Sequence, residues 1–355
     1  MEKLYVLGGK QRKALIKDPS KEWHWYEIAL ILEVEPVSGK VKTCLEYTTP
    51  AEARASDVAS INFHSGTLIG DRLYTCTTTE VLTFKIPEFE QVGYISLPCF
   101  NDLHHVALAS DGNLLVVSTG LDMVVKVSPS GELLGEWSVV QEDTWGRFSR
   151  DVDYRRVETT KPHKSHPNFV FELDGEVWVT RFHQRDAISL NGTGHRIDIA
   201  LEKPHDGIFW KDYIVFTVVD GKVILVNRHT RAIERVIDLR RIQDRDQQKL
   251  PAWCRGVLPA GGDTMWVGFT RIRRTLFREN VRWAKQFLKE GTVVKPTHIA
   301  LFDLAAERCL QEIDLEPYGM NCIFGIFPVP ANNLQVPYTP SMTLSERAQS
   351  SRFER

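Results

Sequence analysis

Four histidines open apolar segments that follow one another along the chain: His64-Ser-Gly-Thr-Leu, His104-His-Val-Ala-Leu, His166-Pro-Asn-Phe-Val-Phe and His205-Asp-Gly-Ile-Phe. A neutral imidazole is a directional ligand, and it binds metal best when a rigid element aims it. Three or four imidazoles with few carboxylates suit zinc or iron, and copper as a third choice; they do not suit calcium or magnesium. The expected cofactor is therefore a divalent transition metal on His64, His104 or His105, His166 and His205. His104 and His105 cannot both serve, because neighbours on a strand face opposite sides. One such histidine would ordinarily be a hydrogen-bonded structural residue. It is the recurrence at one position that points to a shared site.

Other groups could act on a substrate beside that metal. His183, in Thr180-Arg-Phe-His-Gln-Arg-Asp186, and Asp206 are candidates for general acid or base, with Arg255 as a third catalytic candidate. The run Thr270-Arg-Ile-Arg-Arg-Thr-Leu-Phe-Arg278 supplies Arg271 and Arg273, and Arg185 and Cys254 complete the expected substrate-binding set. Guanidinium forks match carboxylate or phosphate, so the expected substrate is a small anion. No Gly-rich phosphate loop, nucleophile elbow or HExxH helix is present in the sequence.

The elements that must position these residues recur with a period of about 40 residues, the length of a four-stranded propeller blade. Short apolar alternations end in turns such as Gly70-Asp71, Asp111-Gly112, Asp174-Gly175 and Lys211-Asp212. Complete blades are expected at 62–97, 103–140, 166–201, 205–239 and 254–315. The last carries a helical insertion at 275–289, with Leu276, Phe277, Val281, Trp283, Ala284, Phe287 and Leu288 near helical spacing. A strand at 321–328 has no blade after it, and strands within 4–48 lack an inner strand. Joined, they make a sixth blade that closes the ring from both ends. The reading is one all-β domain, a six-bladed propeller over 1–330, with seven blades the competing count and 331–355 a polar tail. Strand starts and second-to-third-strand loops share one face of such a ring, so the histidines would meet at its mouth. His24, His195, His229 and His298 fall farther out.

The segment Leu103-His-His-Val-Ala-Leu-Ala-Ser-Asp-Gly-Asn-Leu-Leu-Val-Val-Ser-Thr-Gly resembles the repeats of the NHL, gluconolactonase and strictosidine synthase propellers. That resemblance implies architecture and little about activity. A channel metal on histidines from separate blades is similar in kind to the peptidyl-hydroxyglycine lyases, which hold zinc. It is also similar to the seven-bladed carotenoid oxygenases, which hold iron. The Glu, Asn and Asp calcium set of gluconolactonases is not matched at these positions.

Composition narrows the choice. Of the 355 residues, 43% are hydrophobic and 25% charged, which fits a chain with a real core. A formal net charge of −2 favours neither nucleic acid nor anionic membrane as partner. No apolar run of ~18 residues suggests a membrane span. The N-terminus lacks a signal-peptide core, and the six cysteines show no CxxC pair, so free thiols in the cytoplasm are expected. The leading expectation is a metal-dependent lyase, hydrolase or isomerase acting on a small anionic molecule at the channel mouth, or an oxygenase if the metal is iron. A non-catalytic propeller binding a glycan, peptide or protein partner on its top face is the alternative. A metal-free lactonase-like enzyme using His183 or Asp206 as base is the third. The helical insertion leaves either a lid or a homo-oligomer contact open.

Overall fold

A computed structural model describes residues 2–12, 25–192, 194–243, 249–250, 253–271 and 293–330. Its framework is six four-stranded antiparallel sheets. Blade one comprises Thr67–Ile69, Arg72–Cys76, Val81–Lys85 and Glu90–Ile95. Blade two comprises Leu103–Leu108, Leu114–Ser118, Met123–Val127 and Leu133–Ser138. Blade three comprises Pro167–Leu173, Glu176–Arg181, Asp186–Ser189 and Arg196–Asp198. Blade four comprises Pro204–Trp210, Tyr213–Val218, Lys222–Asn227 and Ile233–Asp238. Blade five comprises Trp253–Pro259, Thr264–Thr270, His298–Asp303 and Arg308–Asp314.

Blade six draws on both ends of the chain. Cys322–Pro328 is its innermost strand, and Leu4–Gln11 lies between that strand and Tyr26–Glu35, with Lys40–Tyr47 outside. A short parallel pair, Lys249–Leu250 with Val293–Val294, accompanies blade five. The expected helix at 275–289, with Arg273, lies outside the described residues, as do His24 and the tail.

The core explains why six blades close. Six apolar clusters fill the six gaps between neighbouring blades. Val215 and Trp210 of blade four meet Val257 and Met265 of blade five, and Trp266 of blade five meets Leu30 and Ile323 of blade six. Tyr5 and Leu7 meet Leu73 and Leu82, and Cys76 and Val81 meet Leu103 and Val116. Val117 meets Val170 and Val179, and Phe171 meets Ile214 and Phe216. A middle strand is covered on both faces, so Leu114-Leu-Val-Val-Ser118 is buried at every residue and reads as an unbroken apolar run.

The inner strand of blade one is shorter than its sequence suggests. It is regular only from Thr67, yet the His64 N–H still donates to the Cys76 carbonyl at 2.8 Å. All six cysteines are free thiols. Among the described residues no helix is long and apolar enough to cross a membrane.

Candidate functional site

One large cavity, about 270 Å³, opens on the propeller axis. His64, His104 and His166 line it from blades one to three, and Arg255 and Phe324 line it from blades five and six. The rings follow one another: His64 to His104 is 4.7 Å between centroids and His104 to His166 is 4.8 Å. Phe324 packs on His64 at 4.3 Å and carries the Arg255 guanidinium at 5.0 Å.

His104 and His105 divide as strand geometry requires. His104 faces the cavity, with Nδ1 2.9 Å from the Asp102 carbonyl. His105 is corrected out of the metal set. It stacks on Phe169 at 3.6 Å; its Nε2 lies 3.2 Å from the Gly66 carbonyl, and its Nδ1 accepts from the Val170 N–H. Both its nitrogens are thus occupied by backbone, one from blade one and one from blade three.

His205 does not line that cavity; it lines a small chamber of about 10 Å³ with His104, Asn168, Asp206 and Arg255. The histidine group is therefore not one ring of four ligands. Among the described residues, the set with three ligand atoms mutually within 4.8 Å is Asp102, His163 and His166. Of these, only His166 belongs to the repeat.

Asp102 and His163 were missed because they come from outside the regular strands. Asp102 precedes the inner strand of blade two in a left-handed conformation, φ 49°. His163 lies on the connection between blades two and three, which arches over the mouth. Asn101 ties that connection down by donating from Nδ2 to the carbonyls of Tyr154 and Val157, both at 2.8 Å. Arg156 secures it to the carbonyls of Ala51 and Arg54.

Asp122 then shapes the turn that holds both histidines. Its buried carboxylate accepts the backbone N–H groups of Lys164, Ser165 and His166 at 2.8–2.9 Å and pairs with Arg147 at 3.0 Å. His166 is left at φ 57°, with its Nδ1 2.9 Å from Nδ1 of His163.

Burial keeps these imidazoles neutral. It lowers His64, His104 and His166, and it brings His163 down to about 4. Burial alone would raise Asp102; the neighbouring His104, Lys161 and His163 hold it below the usual carboxylate range. Neutral nitrogens beside an ionised carboxylate are the protonation states a metal needs.

The remaining candidates are placed as follows. Arg255 and Arg271 line the cavity, and Arg271 pairs with Glu316 at 2.7 Å. Cys254 is corrected: it is fully buried in the apolar gap between blades four and five, because it alternates with Trp253 and Arg255. Arg185 is exposed, with its nearest described partner the Leu201 carbonyl at 3.4 Å, and it does not reach the cavity. His183 lies behind His166, 6.0 Å between ring centroids, and does not line the cavity.

Asp206 is held by Thr217 Oγ1 at 2.5 Å and the Gly256 N–H at 3.1 Å, both donating to Oδ2. Burial raises its carboxyl to about 6. A raised acid favours the fold when protonated. That stability is whole below the ordinary pKa near 4 and is lost as pH rises through 6.

Asp206→Asn can keep both acceptor contacts and should remove the loss. It is expected to stabilise the protein at pH 8 by roughly 1–3 kcal/mol, an upper bound set by two pKa units. The buried histidines contribute the opposite slope, so the test is the difference between variant and wild type in urea unfolding at pH 4.5 and pH 8. An unchanged difference across that window would rule the effect out.

The chain matches no protein-family model and no curated protein in sequence. Solved structures share its fold. A protein of unknown function from Bacteroides caccae is 13% identical, with a TM-score of 0.60 over 93% of this chain and 100% of that one. A chain of the nidogen/laminin complex is 11% identical, with a TM-score of 0.52 over 91% of this chain and 97% of that one. A streptogramin B lyase is 12% identical, with a TM-score of 0.45 over 88% of each chain. At these identities the likeness is one of fold: the chain is a six-bladed β-propeller.

Proposed function

We propose that the protein is a metal-dependent enzyme that acts on a small anionic molecule in the axial cavity. The observation that carries this reading is the convergence of Asp102, His163 and His166 at the cavity wall. Two imidazoles and one carboxylate suit iron or zinc and leave coordination positions for substrate or water. Two nitrogens on one such metal lie roughly 2.9–3.4 Å apart for metal–N bonds near 2.1 Å, and the Nδ1 atoms of His163 and His166 are 2.9 Å apart. A metal there would polarise a substrate oxygen or activate water, which fits lyase, hydrolase or isomerase chemistry. His104 and His64, neutral and next in the row, stand where a proton acceptor would be needed.

The top-face binding alternative has less support. The aromatic side chains of the connection between blades two and three are engaged within the fold. Trp145 donates to Glu136 at 2.9 Å beneath Arg150, and Tyr154 is buried against Phe148.

The test is metal content. Tag-free protein loaded with zinc or iron(II) and dialysed should retain about one equivalent by plasma mass spectrometry and lose thermal stability on chelation. Asp102→Asn with His163→Ala should retain less than about a tenth. Wild-type protein that holds no more metal than this variant would end the metal reading.

A further inference from the structure

We infer that Arg255 is the receptor for a substrate carboxylate, in a subsite across the ring from the Asp102, His163 and His166 cluster. The inference rests on the cavity being the substrate site and does not require the metal. Blades two and five face each other across a six-fold ring, so a ligand on Arg255 spans the cavity towards the cluster.

The arginines around the cavity differ in one respect. Arg54 pairs with Asp57 at 2.9 Å, Arg155 with Asp153 at 2.7 Å and Arg271 with Glu316 at 2.7 Å. Arg255 has no hydrogen-bond or ion-pair partner among the described residues, and its buried Nε is unsatisfied. Asp206, which shares the small chamber with it, spends Oδ2 on Thr217 and Gly256 and makes no ion pair with it. What holds Arg255 is aromatic: its guanidinium carbon lies 5.0 Å from the Phe324 ring centre and 5.5 Å from that of Trp253.

The aromatic rings hold the guanidinium by its faces and leave its N–H edge for a ligand. Two further cavity-lining side chains, each more than nine-tenths buried, also lack partners: Asn62 at Nδ2 and His64 at Nδ1.

The balance of charge sets the ligand class. One free guanidinium fork matches one carboxylate bidentately, whereas a phosphate dianion would call for a second uncompensated cation. Trp25, Phe182, Trp253 and Phe324 also line the cavity and offer apolar surface to the rest of the molecule. The expected class is a monocarboxylate with an apolar or aromatic body.

Isothermal titration of EDTA-treated full-length protein tests this, with benzoate, benzyl alcohol and inorganic phosphate as probes. Benzoate should bind, and benzyl alcohol should bind at least about tenfold more weakly. Arg255→Gln should lower benzoate affinity by about 30-fold. Arg255→Lys, which keeps the charge and the stem, should lose less than Arg255→Gln.

Equal binding of benzoate and benzyl alcohol to wild-type protein would overturn the inference, whatever the variants do. So would phosphate binding tighter than benzoate, or full benzoate affinity in a folded Arg255→Gln. Benzoate binding that appears only after zinc is restored would place the carboxylate on the metal, overturning the role of Arg255 and leaving the metal reading intact. Benzoate binding to a protein that never retains metal would do the reverse.

Discussion

Gly8→Ala should prevent the propeller from closing. Gly8 lies in Leu4–Gln11, where the N-terminal strand pairs with Cys322–Pro328 and the register shifts between Leu7 and Gly8. A Cβ at Gly8 would fall 1.7 Å from the Cys322 carbonyl oxygen and 2.7 Å from the Met320 sulfur. The carbonyl is backbone and cannot rotate away as a side chain could, so the two closing strands must separate. The expected cost is about 4 kcal/mol or more, at the far end of single-substitution effects. Opening the ring would also expose two sheet edges, so soluble expression should fall with stability. Gly39→Ala is the control. Gly39 is a turn glycine at φ 69° with nothing within 4 Å of its would-be Cβ, and should cost only about 1 kcal/mol. Urea unfolding of both variants decides the matter; a Gly8→Ala protein as stable as the control would show that closure tolerates the shift.

The fold was legible because its signals are local and repeated. Asp111-Gly112 and Asp174-Gly175 end inner strands at matching points, and apolar runs such as Leu114–Val117 mark strands covered on both faces. The orphan strands at the two ends of the chain had to pair with something, and the closed ring gave them each other. Legibility stopped where contacts leave the repeat. Nothing in the spacing shows that the connection after blade two bends back over the mouth, because the bend depends on Asn101 and Asp122 reaching 42–56 residues ahead.

For that reason neither His163 nor Asp102 entered the expected ligand set. The inward choice between His104 and His105 also escaped the sequence, since it turns on a register shift between Leu103 and His105. Cys254 was misplaced by a single step of strand alternation. One signal was available: His163 and His166 stand three apart, close enough for one tight turn to present both.

Asp122→Ala should unfasten that turn. The carboxylate has no exposed surface and satisfies three consecutive backbone N–H groups, of Lys164, Ser165 and His166, together with Arg147. Removing it leaves three donors and a partly buried guanidinium without their acceptor. An unsatisfied buried group costs about 1–3 kcal/mol, and breaking a buried ion pair about 3–5 kcal/mol. Because the groups share one carboxylate, these costs overlap, and the expected loss is about 3–5 kcal/mol in urea unfolding.

Asp122→Asn grades the effect. Its remaining oxygen can still take the N–H groups of Ser165 and His166, while Lys164 and Arg147 lose theirs, so it should fall between alanine and wild type. The same turn orients His163 and His166, so metal affinity should drop along the same order. A decrease of 10–100-fold, the usual range for partners that orient ligands, is expected for the asparagine variant while it remains folded. If Asp122→Asn loses stability and binds zinc as tightly as wild type, the turn is structural alone and the ligand atoms of His163 and His166 are not what it positions.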